Sequence, residues 1–131
     1  MKKLLAYVGV GVLVALPAYA VQTIGQPIVA IQSTAAEASH VLKNSQGYLN
    51  GFSATSGASA GYVLFFDATT APANGAVTPK LCYQLPANQT TGASWLTYPV
   101  PFNNGIVIEF STTGCFTATS SSTAFFSAQI Q

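Results

Sequence analysis

The stretch Tyr62-Val63-Leu64-Phe65-Phe66-Asp67 decides the fold class of this chain. Successive side chains of a β-strand point to opposite faces, so Tyr62, Leu64 and Phe66 share one face. Val63 and Phe65 share the other face, and both faces are apolar. A strand with one face in water alternates apolar and polar residues instead. We therefore expect either a central strand covered on both sides or a strand with one face against another chain.

Short runs of the same kind follow along the chain. Residues 81–85 and 125–130 have the alternation of strands, with Phe126, Ala128 and Ile130 pointing inward in the second run. In residues 106–110 we expect Glu109 to face water. Residues 40–44 and 48–55 resemble a hairpin about Gly47. Clusters rich in Gly, Asn and Pro separate these runs and favour turns.

The spacing of these runs predicts an all-β fold. We expect a single antiparallel β-sandwich, of jelly-roll or immunoglobulin-like type, with about seven or eight short strands. The sandwich is expected over residues 36–131, and residues 21–35 form an extended arm or an edge strand. Residues 30–39 are the best helical candidate after residue 20, because Thr34 and Glu37 resemble a capping box.

The first twenty residues have the layout of a secretory signal peptide. Two lysines precede an apolar run over residues 4–16, and Ala18-Tyr19-Ala20 places small residues two apart. We expect an apolar leader helix and cleavage between Ala20 and Val21. The alternative is a retained anchor, in which residues 4–16 are the only membrane contact.

Charge is scarce throughout the chain. The 131 residues include four Lys and Arg, three Asp and Glu, and one His. Such a chain has no basic surface for nucleic acid, and its His, Cys and carboxylates are too few and scattered for a predicted metal or cofactor site. His40 and Asp67 could form a catalytic triad with a serine. Any sequence that contains a histidine offers the same residue types, so their presence is no specific sign of a triad. We therefore predict a protein that is not an enzyme.

Cys82 and Cys115 form an even pair in a chain with an export signal. This favours a disulfide bond between them, and the alternative is two buried free thiols in a protein assembled in the cytosol.

Aromatic side chains supply the candidate contact sites. The candidate interface residues are Tyr62, Val63, Phe65, Trp95 and Phe125. Tyr48, Tyr98 and Trp95 could instead form a platform for stacking sugars, although packing is the commoner use of such rings.

From about residue 36 onward the chain resembles a small β-sandwich-like domain of structural proteins in tailed phages and prophages. The matching segments are residues 40–43, 47–49, 61–68, 71–79, 101–102, 105–107, 110–117 and 122–127. Such domains often carry a cysteine pair at the positions of Cys82 and Cys115. The resemblance implies a non-catalytic virion component, a capsid-decoration or tail and fibre surface protein, and it supplies no catalytic residues.

Two functions follow as expectations. The first is a structural component of a phage or phage-derived particle that contacts other chains, either its own copies, as a homo-oligomer, or capsid and tail proteins. The second is an exported bacterial surface protein with an adhesin or carbohydrate-binding role, located in the periplasm or outside the cell. The signal sequence favours the second, because phage structural proteins usually assemble in the cytoplasm.

Overall fold

The computed structural model describes residues 26–131. This part of the chain is all-β, as predicted, with antiparallel pairing throughout. Its strands are β1 (Val29–Gln32), β2 (Ser39–Lys43), β3 (Gly47–Ser56), β4 (Gly61–Asp67), β5 (Gly75–Ala76), β6 (Leu81–Leu85), β7 (Thr90–Ser94), β8 (Val100–Phe102), β9 (Ile106–Ser111), β10 (Thr117–Ala118) and β11 (Ala124–Ile130). The expected leader and the cleavage point between Ala20 and Val21 lie outside the described residues. Within residues 26–131 no helix is long and apolar enough to cross a membrane.

The strands form two main sheets and one small one. Sheet A has the order β1-β11-β3-β7, and β8 also pairs with β3. Sheet B has the order β2-β9-β4-β6, and β5 pairs with β10 in a separate two-stranded sheet. Four pairings are nested along the chain, because β1 pairs with β11, β2 with β9, β3 with β7, and β4 with β6.

Sheets A and B pack face to face around one hydrophobic core. Leu49, Phe52, Phe126, Ala128 and Ile130 enter it from sheet A, and Leu42, Val63, Phe65, Ile108 and Phe110 enter it from sheet B. The rings of Phe52 and Phe65 meet edge to face across the two sheets, with centroids 4.8 Å apart. In β11 every second residue is buried, starting at Ala124, which confirms the predicted alternation.

The central part of the second face of sheet B is covered by the same chain, whereas Val41 at the β2 edge of this face stays exposed. Leu64, Phe66 and Val107 form a smaller core with Ala118 of β10, and Val77 and Ala68 pack against it. We call this cover, residues 68–80 and 112–121, the outer layer. Strand β4 lies between β9 and β6, so its two apolar faces are explained by a central position and two layers of cover.

The predicted hairpin about Gly47 is wrong. Strands β2 and β3 exist, but β2 pairs with β9 in sheet B while β3 pairs with β11 in sheet A. Residues 44–46 therefore carry the chain across the sandwich, which lets Leu42 and Leu49 fill the core from opposite sheets. Glycine at position 47 lets the backbone approach the C-terminal residue closely, because a Cβ at this position would lie 2.5 Å from the Gln131 carbonyl oxygen.

The helical candidate over residues 30–39 is also wrong. The Ser33 amide donates to the Phe126 carbonyl at 2.8 Å, and the Glu37 amide donates to the Ala124 carbonyl at 2.8 Å. This segment thus continues the contact that β1 makes with β11 and satisfies backbone groups of β11 that a helix would leave unpaired.

Candidate functional site

A disulfide bond joins Cys82 to Cys115, as predicted from the cysteine pair. Cys82 lies in the edge strand β6, and Cys115 lies in the outer layer just before β10. The bond therefore ties sheet B to its cover. Disulfides persist in oxidising surroundings and are rare in the cytosol, so this bond is typical of a protein from the extracellular space or the periplasm.

The five candidate interface residues have different surroundings. Val63 and Phe65 have no exposed area, because they fill the core between the two sheets. Their prediction as contact residues is wrong, since the sandwich itself covers the face on which they lie. Tyr62 and Trp95 are half-buried, with Tyr62 against the outer layer and the Trp95 ring stacked at 6.1 Å on Phe52. Phe125 alone among the five is exposed, at 48%.

Phe125 belongs to the solvent-facing side of sheet A, which we call the uncharged face. Strand alternation and register place eleven residues on it: Ala30, Gln32, Gly51, Ser53, Thr55, Thr90, Gly92, Ser94, Phe125, Ser127 and Gln129. All are neutral, and most are small or hydroxyl-bearing. The Thr55 and Thr90 hydroxyls are hydrogen-bonded at 2.7 Å. Because most of these side chains are short, the backbone of sheet A lies close to the surface of this face.

Glu109 is buried, contrary to the expectation that it faces water. It lies in β9 on the side covered by the outer layer, and none of its surface is exposed. Its Oε1 is 2.5 Å from Ser120 Oγ, and its Oε2 has no partner among the described residues. Burial raises the pKa of Glu109, and the hydrogen bond with Ser120 opposes that rise in part. Alternation in one strand could not reveal this carboxyl, because its cover comes from distant residues.

Asn74 completes the surroundings of Ser120. The Ser120 amide lies 2.9 Å from Asn74 Oδ1, and the Ser120 hydroxyl lies 2.8 Å from the same oxygen. Glu109, Ser120 and Asn74 thus form a connected group, which we call the Glu109 cluster. Asn74 precedes β5 and Ser120 follows β10, so the pairing of these two short strands brings them together. No sequence motif predicted this cluster.

Four of the remaining titratable residues form two separate pairs. Asp67 accepts hydrogen bonds from the Asn104 amide at 2.7 Å and the Asn103 amide at 3.1 Å, which hold its pKa below the usual value. Lys80 lies 3.9 Å from the Asp67 carboxylate. His40 Nδ1 lies 2.7 Å from Glu37 Oε1. His40 and Asp67 therefore have different partners, and residues 26–131 hold no cluster of three metal-ligating side chains.

A cleft of about 650 Å³ opens at one end of the sandwich. Its walls carry Tyr48, Lys43 and the amide side chains of Gln26, Gln46, Asn103 and Gln131. Tyr48 is about half exposed, so part of its side chain is accessible from the cleft. Trp95 and Tyr98 are not among the lining residues. Of the three aromatic residues predicted as a sugar platform, Tyr48 alone therefore lines this cleft.

The resemblance to phage structural domains stays a prediction that rests on the sequence segments given above. No protein-family model, no curated protein and no solved structure matches this chain.

Proposed function

We propose that this chain is a non-catalytic structural component of a phage or phage-derived particle, such as a capsid-decoration or tail and fibre surface protein, and acts through contacts with other protein chains. The uncharged face carries the proposal. The central strands of sheet B are covered by the outer layer of their own chain, whereas the outer face of sheet A carries eleven neutral residues, ten of them at least partly exposed.

The chemistry of the uncharged face suits a protein partner. Charged residues are depleted in the cores of interfaces, because burying a charge costs desolvation energy. Serine and threonine hydroxyls can hydrogen-bond across a contact, and Phe125 supplies an aromatic anchor of the kind found at binding hot spots. A chain with almost no net charge also has little repulsion between its copies. We therefore propose a homo-oligomer or an array on a particle.

We propose further that the sandwich is a jelly roll rather than an immunoglobulin-like domain. The four nested pairings support this, since they correspond to one long hairpin of eight strands rolled into two sheets. Jelly rolls occur in viral capsid proteins and in lectins. The fold is thus compatible with both expected functions, but a fold does not determine a function.

The experiment adds one positive charge to the uncharged face. Ser127→Lys places an ammonium group at its centre, and Thr70→Lys adds the same charge to an exposed loop of the outer layer as a control. We expect light scattering to show an oligomer for the native chain and for Thr70→Lys, and a monomer for Ser127→Lys. Mass spectrometry of purified particles should find the native chain. A native monomer that is absent from particles would contradict the proposal.

The second candidate is an exported surface protein that binds carbohydrate, located in the periplasm or outside the cell. The cleft at Tyr48 favours it, because an open aromatic ring beside several amide side chains offers stacking and hydrogen bonds to sugar hydroxyls. Binding to a glycan array should be lost in Tyr48→Ala and kept in Tyr98→Ala, whose ring lies outside the cleft. A mature N-terminus at Val21 in the culture medium, without particle association, would favour this candidate over the first.

A further inference from the structure

We propose that Ser120 and Asn74 become joined by an intramolecular ester bond, with Glu109 transferring the proton. Ser120 Oγ is the nucleophile and Asn74 Cγ is the electrophile. The bond would join the two segments of the outer layer, residues 68–80 and 112–121. This inference does not depend on which partner the chain has.

The contacts around Asn74 prepare its side-chain amide for attack. The Ser120 backbone amide donates to Asn74 Oδ1 at 2.9 Å, which fixes this atom as the oxygen rather than the nitrogen of the side chain. The Ser120 hydroxyl lies 2.8 Å from the same oxygen, so its attack on Cγ needs a small rotation of the Ser120 or Asn74 side chain. A backbone donor on that oxygen stabilises the negative charge that develops there during attack. Holding both groups together also removes much of the entropic cost of reaction.

The number of hydrogens available for the contacts of Ser120 Oγ indicates that Glu109 transfers the proton. A serine hydroxyl has one hydrogen, but Ser120 Oγ lies near two oxygens, Asn74 Oδ1 at 2.8 Å and Glu109 Oε1 at 2.5 Å. Either the hydroxyl donates to a Glu109 carboxylate, or a neutral Glu109 donates to Ser120 Oγ. In the first arrangement the Oγ lone pairs are available for attack, but the contact with Asn74 Oδ1 holds no hydrogen. In the second arrangement the hydroxyl donates to Asn74 Oδ1, and Glu109 holds the proton that the leaving group needs. Burial raises the pKa of Glu109, which favours its proton-holding form, and the hydrogen bond with Ser120 opposes that rise.

The reaction balances without any cofactor. The Ser120 hydroxyl proton passes to the Glu109 carboxylate as the bond between Oγ and Cγ forms, and the electron pair of the carbonyl moves onto Oδ1. Glu109 then returns the proton to Asn74 Nδ2. The bond between Cγ and Nδ2 breaks, ammonia leaves, and the carbonyl re-forms as an ester. Asn74 is exposed, so the ammonia can escape into solvent. Glu109 ends in its starting state.

The position of the bond fits the other covalent link of the chain. Asn74 and Ser120 enclose Cys82 and Cys115, so an ester would close a loop around the disulfide loop. Both links would then hold the outer layer, whose short strands β5 and β10 are joined by only two residue pairs.

Asn74 is followed by Gly75, which offers a competing reaction. An unhindered glycine amide can attack the same side-chain carbonyl and form a cyclic imide, again with loss of ammonia. A loss of mass is therefore insufficient, and the test must show that two segments are joined.

Lys80 makes that test direct. It lies between Asn74 and Ser120, while both cysteines lie after it. Reduction of the native chain, unfolding and trypsin cleavage should give residues 44–80 and 81–131 as one species whose mass is the sum of the two peptides less one ammonia. Two separate peptides of unmodified mass would overturn the proposal. A loss of ammonia confined to residues 44–80 would also overturn it, in favour of the imide.

Variants then assign the roles of the residues. Ser120→Ala removes the nucleophile, and Glu109→Gln keeps the shape but not the proton transfer. We expect both to lose the joined species. Ser121→Ala, whose hydroxyl lies near Thr123, should keep it. Mild alkali should split the joined species and leave a carboxyl group at position 74, and a link that survives alkali would not be an ester. The native chain decides the proposal by itself, so a variant that fails to fold does not block the test.

Discussion

Removal of the disulfide is the perturbation whose cost can best be worked from the structure. The variant is Cys82→Ala with Cys115→Ala. The bond closes a loop with a sequence separation of 33 residues, for which the chain-entropy relation gives about 4 kcal/mol of stabilisation. Such a loss is a large fraction of the roughly 5–15 kcal/mol that stabilises an ordinary domain. For a chain of this size it corresponds to a fall in Tm of about 15 °C.

Trp95 provides the assay. It is the one tryptophan of the chain, and it is half-buried against Phe52. Its fluorescence should therefore follow urea unfolding of the sandwich. Working in a Ser120→Ala background removes any contribution of an ester to loop closure.

The control for this measurement is the parent chain under reducing conditions. It should unfold at the same urea concentration as the double variant, because both lack the cross-link. If the double variant matches the oxidised parent within about 0.5 kcal/mol, the variation expected of surface substitutions, then the bond does not stabilise the fold as reasoned here.

Three further predictions concern the core, the uncharged face and Asp67. Phe65→Ala should cost about 3–5 kcal/mol in urea unfolding, since Phe65 is fully buried, whereas exposed Phe125→Ala should cost far less. Gly92→Val should cost about 1–3 kcal/mol, because even its Cβ would lie 2.5 Å from the Phe52 carbonyl oxygen. Backbone amides hold the pKa of Asp67 below 3.8, so its stabilisation is complete above that value and is lost as pH falls through the lower folded pKa. Asp67→Asn should therefore unfold with a weaker pH dependence in acid, as measured by the urea midpoint against pH.

Local alternation predicted several elements of the fold. The predicted strand over residues 81–85 coincides with β6, and the burial of Phe126, Ala128 and Ile130 follows the expected pattern. These successes share a cause, because the period of a strand is encoded in consecutive residues. The disulfide was predictable for a different reason, since the chain has only two cysteines and they have only each other as intramolecular partners.

The errors come from contacts between distant parts of the chain. Residues 40–55 look like a hairpin because a short polar turn joins two strands, and nothing local indicates that the turn crosses between sheets. Glu109 was expected to be exposed because it is the one charged residue of β9, but the outer layer covers it and all six residues of the strand are buried. The Glu109 cluster was invisible for the same reason, since Asn74 and Ser120 are 46 residues apart and meet only through β5 and β10.

The outer layer also decides which surface of the sandwich is left for partners. In a two-sheet sandwich each sheet normally has one face in solvent. Here Leu64, Phe66 and Val107 on the second face of sheet B are buried beneath the outer layer. Several charged groups lie on that side or at the ends of the sandwich, including the Asp67 and Lys80 pair. Sheet A keeps a face free of charge, and the strands behind it are tied to the main core. An outer layer held covalently would therefore keep sheet B closed, and the contacts of this chain would be directed to the uncharged face.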